Sequence, residues 1–220
     1  MKIATLYFNN VRLKPSQIHK LRGYVGNAFK NHDLIHNHDL TTGKVIYRYP
    51  LIQFKLIDNV PAIIAITEHA VKIFGEIFMQ LDRIRIEGLE ISVHEKNLKV
   101  DDVEFGFSNE TFMYEFVSPW IGLNQKNYLQ YRDANKGEKQ KILQSAFIGN
   151  ILAMAKGVGY WLEKEQRLES ELQVRECPVN LKGRTMKGFK GRVQTNFMIP
   201  DHMGLGKSVS RGFGVVKGAM

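Results

Sequence analysis

The 220-residue sequence lacks several features that mark whole classes of protein. Cys177 is its single cysteine, so the chain can form neither an internal disulfide nor a zinc site built from several cysteines. Its apolar runs, such as Val60–Ile66, are far shorter than the ~20 residues that span a bilayer. The first residues alternate like a strand and lack the long apolar region of a secretory signal. We therefore expect a cytoplasmic protein without a membrane partner.

Acidic residues are scarce in the last fifth of the chain. Lysine and arginine number 31 against 22 aspartates and glutamates, which gives a net charge of +9. Residues 177–220 contribute +7 of this charge, because they hold eight basic residues and a single acidic one, Asp201. The basic residues are Lys182, Arg184, Lys187, Lys190, Arg192, Lys207, Arg211 and Lys217. Such a concentration of positive charge predicts a polyanionic partner.

Composition and hydropathy pattern predict a folded α+β protein. Hydrophobic residues make up 44% of the chain and charged residues 24%, as in ordinary globular domains. In the first half, the periodic segments follow the order strand, helix, strand, strand, helix, strand. We predict strands at Lys2–Phe8, Val45–Ile57, Val60–Thr67 and Arg83–Val93, helices after Pro15 and over Glu68–Gln80, and a tight turn at Asp58-Asn59. This order is that of the ferredoxin-like βαββαβ unit.

The second half predicts another α+β domain. Residues 95–110 are polar and are expected to form a linker, with or without a short hairpin, and Asn31–Lys44 is expected to form a loop that carries histidines. Beyond the linker we predict strands at Thr111–Val117, Leu172–Cys177, Lys182–Pro200 and Phe213–Val216, with helices over Asn124–Lys136 and Glu138–Ala155. The expected domains are therefore residues 1–95 and residues 111–220.

The segment Met203–Gly214 is rich in glycine but matches no nucleotide-binding motif. A dinucleotide fingerprint would need glycine at Val209, and a phosphate-binding P-loop would need glycine at Asp201, which argues against nucleotide hydrolysis. Glycines let the backbone approach a ligand closely, and neighbouring cations and hydroxyls can hold phosphates. The predicted phosphate contacts are Gly204, Gly206, Lys207, Ser208, Ser210, Arg211 and Gly212. The alternative is a glycine-rich hairpin with a purely structural role.

The predicted strand before this segment interleaves cations with glycines and an aromatic residue. The cations are Lys182, Arg184, Lys187, Lys190 and Arg192. Phe189 lies among them. This pattern is typical of a track that follows a nucleic acid backbone and offers one stacking position.

Four segments of the chain together resemble one known family. They are Leu21–Asn27 in the first helix, the histidine-bearing loop, Phe116–Asn124, and the glycine-rich Gly204–Gly214. They are similar to the CRISPR repeat-processing endoribonucleases of the Cas six family, in its b-type branch, within the RAMP superfamily. The resemblance implies two ferredoxin-like (βαββαβ) domains in tandem, with CRISPR repeat RNA bound along a basic cleft. It further implies a cut that needs no metal or other cofactor and leaves a 2′,3′-cyclic phosphate.

The resemblance also implies a set of catalytic residues. By pattern, the family's loop histidines and the tyrosine after them correspond to His36, His38 and Tyr47. In an extended segment the two imidazoles would point the same way, being two residues apart. Histidine suits both proton transfers of RNA cleavage, because its ordinary pKa is about 6.5. We assign His38 as general base and His36 as general acid or phosphate donor, with exchange of the two roles open, and Tyr47 as a phosphate-orienting group.

Two other functions remain open at this point. The chain would be a non-catalytic RNA-binding subunit of a CRISPR effector complex if the histidines do not take part in RNA cleavage. It would be a metal-dependent enzyme if His32, His36 and His38 bind a metal ion. The sequence also leaves open whether a second copy of the chain completes the basic cleft as a homodimer.

Overall fold

The computed structural model describes residues 1–29, 32–36, 48–181 and 183–219, without the side chains of Asp33, His36 and Glu76. The chain divides into two compact units. The N-terminal unit holds Met1–Val103 together with Ser210–Gly212, and the C-terminal unit holds Glu104–Val209 and the chain from Phe213 onward. Among the described helices, none is both long and apolar enough to cross a bilayer.

The N-terminal unit contains six strands and three α-helices among its described residues. They are β1 (Lys2–Phe8), α1 (Ile18–Ala28), α2 (Asp33–His36), β2 (Ile52–Ile57), β3 (Val60–Ile66), α3 (Glu68–Gln80), β4 (Arg83–Ile86), β5 (Leu89–Ser92) and β6 (Lys96–Asp102). The elements of the C-terminal unit are β7 (Gly106–Phe116), α4 (Gln125–Asp133), α5 (Lys136–Gly157), β8 (Ser170–Leu181), β9 (Arg184–Met198) and β10 (Val216–Gly218).

The N-terminal unit is built on an antiparallel sheet in the order β2-β3-β1-β6. Helices α1 and α3 supply buried side chains to its core, among them Leu21 and Phe74. The β2–β3 hairpin turns at Asp58 and Asn59, whose φ angles of 47° and 64° are those of a type I′ turn. This turn was predicted from the sequence and is confirmed.

Four sequence predictions for this unit differ from the structure. The fourth strand of the sheet is β6, which pairs with β1 along its length. Arg83–Val93 instead forms the separate β4–β5 hairpin, and the predicted linker contains β6. The predicted loop contains the one-turn helix α2, in which Leu34 is buried. Residues 48–51 precede β2 rather than extending it, and the predicted strand residues 45–47 lie outside the described part of the chain.

The C-terminal unit repeats the same topology with one replacement. Its antiparallel sheet has the order β10-β7-β9-β8, which places the first and last strands side by side as in a ferredoxin-like fold. Residues 199–215, where the second helix of that fold would lie, contain the glycine-rich segment and only a 3-10 turn, Val209–Arg211. Both units are therefore ferredoxin-like sheets, as expected from the sequence.

Trp120 is the centre of the C-terminal core. Its indole stacks on Phe116 at 5.4 Å between ring centroids and meets Phe147 of α5 edge-on at 5.8 Å. Its Nε1 donates a hydrogen bond to Asn150 Oδ1 at 2.9 Å, so the buried polar atom is satisfied. Backbone hydrogen bonds join Trp120 to Phe189 of β9 in both directions. The residues after β7 are thus fixed against the sheet.

Candidate nucleic-acid interface

One face of the C-terminal sheet carries the exposed cations of β8 and β9. Lys190 lies directly opposite Arg175, and Arg192 lies opposite Gln173, so these side chains share a face. Arg175 and Arg192 are exposed, and Lys190 is half-buried. Together they line an open depression of about 820 Å³. We call Arg175, Lys190 and Arg192 the basic face.

Arg175 was missed in the sequence analysis, although the sequence contains the signal. The β8–β9 hairpin turns next to Gly183, whose φ is 73°. Counting outward from that turn brings residue 175 opposite residue 190. Like charges directly opposite each other on neighbouring strands destabilise a sheet. The Arg175–Lys190 pair therefore indicates a surface suited to an anion rather than one optimised for stability.

Not all of the predicted strand cations belong to this face. Lys187 forms an ion pair with Glu176 at 2.7 Å, and its ammonium lies 5.3 Å from the centre of the Tyr131 ring. The hydrogen bond from Lys187 holds the pKa of Glu176 below its ordinary value, although burial opposes this. Lys187 is therefore already neutralised within the unit. Arg184 is exposed near the hairpin turn, and Lys182 lies outside the described residues.

The glycine-rich segment packs on the residues that follow β7. A Cβ on Gly206 would lie 2.8 Å from Trp120 Nε1, and one on Gly214 would lie 1.9 Å from the Leu205 carbonyl oxygen. Both glycines have positive φ angles, of 86° and 63°. Glycine is therefore required here by packing and backbone handedness, independently of any ligand.

Several backbone N–H groups of the glycine-rich segment, which was predicted to contact phosphates, already donate hydrogen bonds within the protein. Leu205 donates to Gly214, Lys207 donates to Ile121, and Gly214 donates to Pro119, all within 2.9 Å. These amides hold the segment in place. The Lys207 side chain is exposed, and Ser208, Ser210 and Gly212 are half-buried. Gly204 is buried and pairs with Val215 in an isolated bridge, which contradicts direct exposure of Gly204 to a phosphate.

Arg211 belongs to the N-terminal unit and not to the rest of the glycine-rich segment. It lies in the short stretch Ser210–Gly212 that is assigned to that unit, and its charge acts on Arg22 of α1. The predicted contacts Lys207 and Arg211 therefore lie in different units.

The predicted catalytic residues fall largely beyond the described structure. His38 and Tyr47 are outside it, and for His36 only the backbone is described, at the end of α2. The chain is helical at His36, where the sequence predicted a loop, and the rest of the segment that joins His36 to His38 lies outside the described residues. His32 lies just before α2, and its backbone N–H donates to Phe29. The roles assigned to these residues stay predictions.

A metal site is a separate question from catalysis by histidine. Across the residues with described placement, no group of three His, Cys, Asp or Glu side chains is arranged to hold a metal ion. The alternative site of His32, His36 and His38 is not covered by that statement, since two of its side chains are not described.

Comparison with known protein families accounts for both units. The model of the Cas6b N-terminal domain matches residues 1–104, and the model of the Cas6b C-terminal domain matches residues 106–219. The chain belongs to the Cas6b family. The family expected from the sequence motifs is thereby confirmed.

Two solved structures agree with this Cas6b assignment, and one curated relative is similar in sequence. A crystal structure of Cas6b matches with a TM-score of 0.93 and 32% identity, covering 99% of each chain. A crystal structure of "CRISPR RNA processing endoribonuclease Cas6b" matches with a TM-score of 0.79 and 31% identity over 100% of both chains. The uncharacterized protein MJ0978 of Methanocaldococcus jannaschii is 37% identical over 142 residues, which are 64% of this chain and 96% of its own.

Proposed function

We propose that this Cas6b protein is an endoribonuclease that cuts CRISPR repeat RNA without a metal ion. The observation that carries the proposal is the full-length similarity to a Cas6b protein named as a CRISPR RNA processing endoribonuclease. Both family models also match, so the similarity extends over the two units that such an activity would use.

The electrostatics of the described surface support RNA as the ligand. The basic face presents three cations on neighbouring strands, and Lys207 adds an exposed cation in the same unit. Glu115 of β7 lies between Arg192 of β9 and Lys217 of β10 in the sheet. Two basic residues therefore flank one acidic residue across these three strands. Contacts to backbone phosphates release counterions, and binding through such a surface weakens with salt.

The proposed chemistry uses the nucleophile that RNA itself carries. His38 takes the proton of the 2′-hydroxyl, and the 2′-oxygen forms a bond to the adjacent phosphorus. The bond from phosphorus to the 5′-oxygen of the next nucleotide breaks, and His36 donates the proton that this oxygen needs. The products are a 2′,3′-cyclic phosphate and a free 5′-hydroxyl. Tyr47 orients the phosphate while charge develops on its oxygens.

The experiment is incubation of the purified protein with end-labelled repeat RNA in EDTA, beside a scrambled RNA of equal length. We expect a single cut in the repeat RNA, and a 5′ fragment that carries a 2′,3′-cyclic phosphate. The scrambled RNA should remain whole. Binding of the repeat without cutting would instead indicate a non-catalytic RNA-binding subunit. Cutting that appears only after a divalent metal is added would contradict the metal-free mechanism.

A further inference from the structure

We propose that Arg22 and Arg211 together bind one phosphate group of the RNA. The identity of the ligand rests on the proposed function, whereas the anion site itself rests on the geometry of the N-terminal unit. Arg22 is the new element of this site: it lies in the first-helix segment Leu21–Asn27, but the sequence analysis assigned it no role.

Arg22 carries a buried polar atom whose hydrogen-bonding capacity is unused. Its Nε is buried and has no hydrogen-bond partner. Guanidinium N–H groups that are taken out of water without a partner cost free energy. Such an atom in a native protein calls for an explanation, and an ion bound to the same guanidinium is one that fits its charge.

The second cation makes the site selective for an anion. Burial lowers the pKa of the Arg22 guanidinium, and the positive charge of Arg211 lowers it further. Among the ion pairs of the described residues, neither arginine has a carboxylate partner. Two like charges held together without a counterion repel each other, and a bound anion relieves that repulsion.

The fold holds Arg211 in place beside the first helix. Gly212 follows it with a φ of 86°, in the left-handed region. A Cβ at Gly212 would lie 3.2 Å from Ile18 Cγ2 and 3.3 Å from the Phe54 carbonyl oxygen. Because the chain approaches α1 and β2 this closely, Arg211 is positioned by backbone packing before any ligand arrives.

Phosphate is the anion whose shape fits two guanidinium groups. Each guanidinium offers parallel N–H donors that match two oxygens of one phosphate, which lysine cannot reproduce. A phosphodiester carries one negative charge and two free oxygens, so one group of the RNA backbone can accept from both arginines. Contacts of this kind position the RNA without reading its sequence.

The test compares Arg22→Met, Arg211→Met and the double variant with Lys72→Met, which removes an exposed cation from α3 of the same unit. Repeat RNA binding is measured in EDTA over a range of salt concentrations. We expect Arg22→Met to weaken binding about tenfold or more and to reduce the salt slope by about 0.7–1. Since both arginines hold one phosphate, the loss in the double variant should be smaller than the sum of the single losses. Lys72→Met should bind nearly as the wild type does.

Thermal unfolding in low-millimolar sulfate, with chloride as the ionic-strength control, tests the anion site without RNA. We expect sulfate to raise the midpoint of the wild type and of Lys72→Met more than that of Arg22→Met. Without sulfate, Arg22→Met should be at least as stable as the wild type, because it loses a buried Nε that has no hydrogen-bond partner. A lower midpoint in chloride, or equal stabilisation by sulfate in all variants, would overturn the site.

The two experiments separate this inference from the proposed function. If the wild type binds and cuts the repeat while Arg22→Met does so equally well, the two-arginine site is wrong and the nuclease stands. If the wild type does not bind the repeat although sulfate distinguishes Arg22→Met, the RNA ligand is wrong for this site.

Discussion

Replacing His38 with alanine is expected to slow cleavage of the repeat RNA by about 10²–10⁴-fold, the range that one general acid or base contributes. Binding of the RNA should be unchanged, because the imidazole acts on a proton and supplies none of the backbone charge contacts. Single-turnover cleavage and binding, measured on the same protein, separate these two effects. His19→Ala is the matched control, since His19 is an exposed histidine of α1.

The pH profile adds a second test of the same histidine. A base and an acid of similar pKa give a bell-shaped dependence of the cleavage rate. We expect His38→Ala to lose one limb of that profile and His36→Ala to lose the other. Wild-type cleavage by His38→Ala would show that another group takes the 2′-hydroxyl proton.

Replacing Lys55 with methionine is expected to change how the stability of the protein depends on pH. Lys55 is fully buried in β2, opposite Ala62 of the apolar strand β3. Burial lowers the pKa of Lys55 from 10.5 to about 7. Below pH 7 the Lys55 side chain is protonated in both the folded and the unfolded state. Between pH 7 and pH 10.5 the unfolded chain still binds a proton that the folded protein does not, so the free energy of unfolding rises with pH in this range.

The lowered pKa of Lys55 sets the direction of the effect. The wild type should gain about 2–3 kcal/mol of stability relative to Lys55→Met between pH 7 and pH 9, because only the wild type carries the shifted group. Urea unfolding of both proteins at the two pH values measures the difference, with Lys72→Met on the exposed face of α3 as control. A stability difference that does not change with pH would mean that burial of Lys55 does not shift its titration.

Sequence patterns predicted those parts of the fold that local chemistry determines. The Asp58-Asn59 turn followed from residues that accept positive φ, and α5 followed from its periodic apolar face. The position of β6 could not be predicted from the local sequence pattern. It is an edge strand with mostly exposed side chains, so it lacks the apolar alternation that marks a half-buried strand.

In the candidate interface, too, the sequence predicted local features but not those that depend on contacts between distant residues. Cations on β9 were visible in the sequence, but the face on which each lies depends on strand register and on partners such as Glu176, which engages Lys187. Arg22 lies in a helix segment whose sequence gives it no binding role. The approach of Ser210–Gly212 to α1, across most of the length of the chain, brings the charge of Arg211 to it. Contacts this distant in sequence carry no local signal.

The proposed cleavage requires above all that the RNA supply its own nucleophile. The most direct test is a repeat RNA with a single 2′-deoxynucleotide immediately 5′ of the mapped cut, compared with the all-ribose repeat in EDTA. We predict that both RNAs bind with the same affinity and that only the all-ribose RNA is cut. Cleavage of the deoxy-substituted RNA at the same bond would contradict the account, because the attacking oxygen would then come from water.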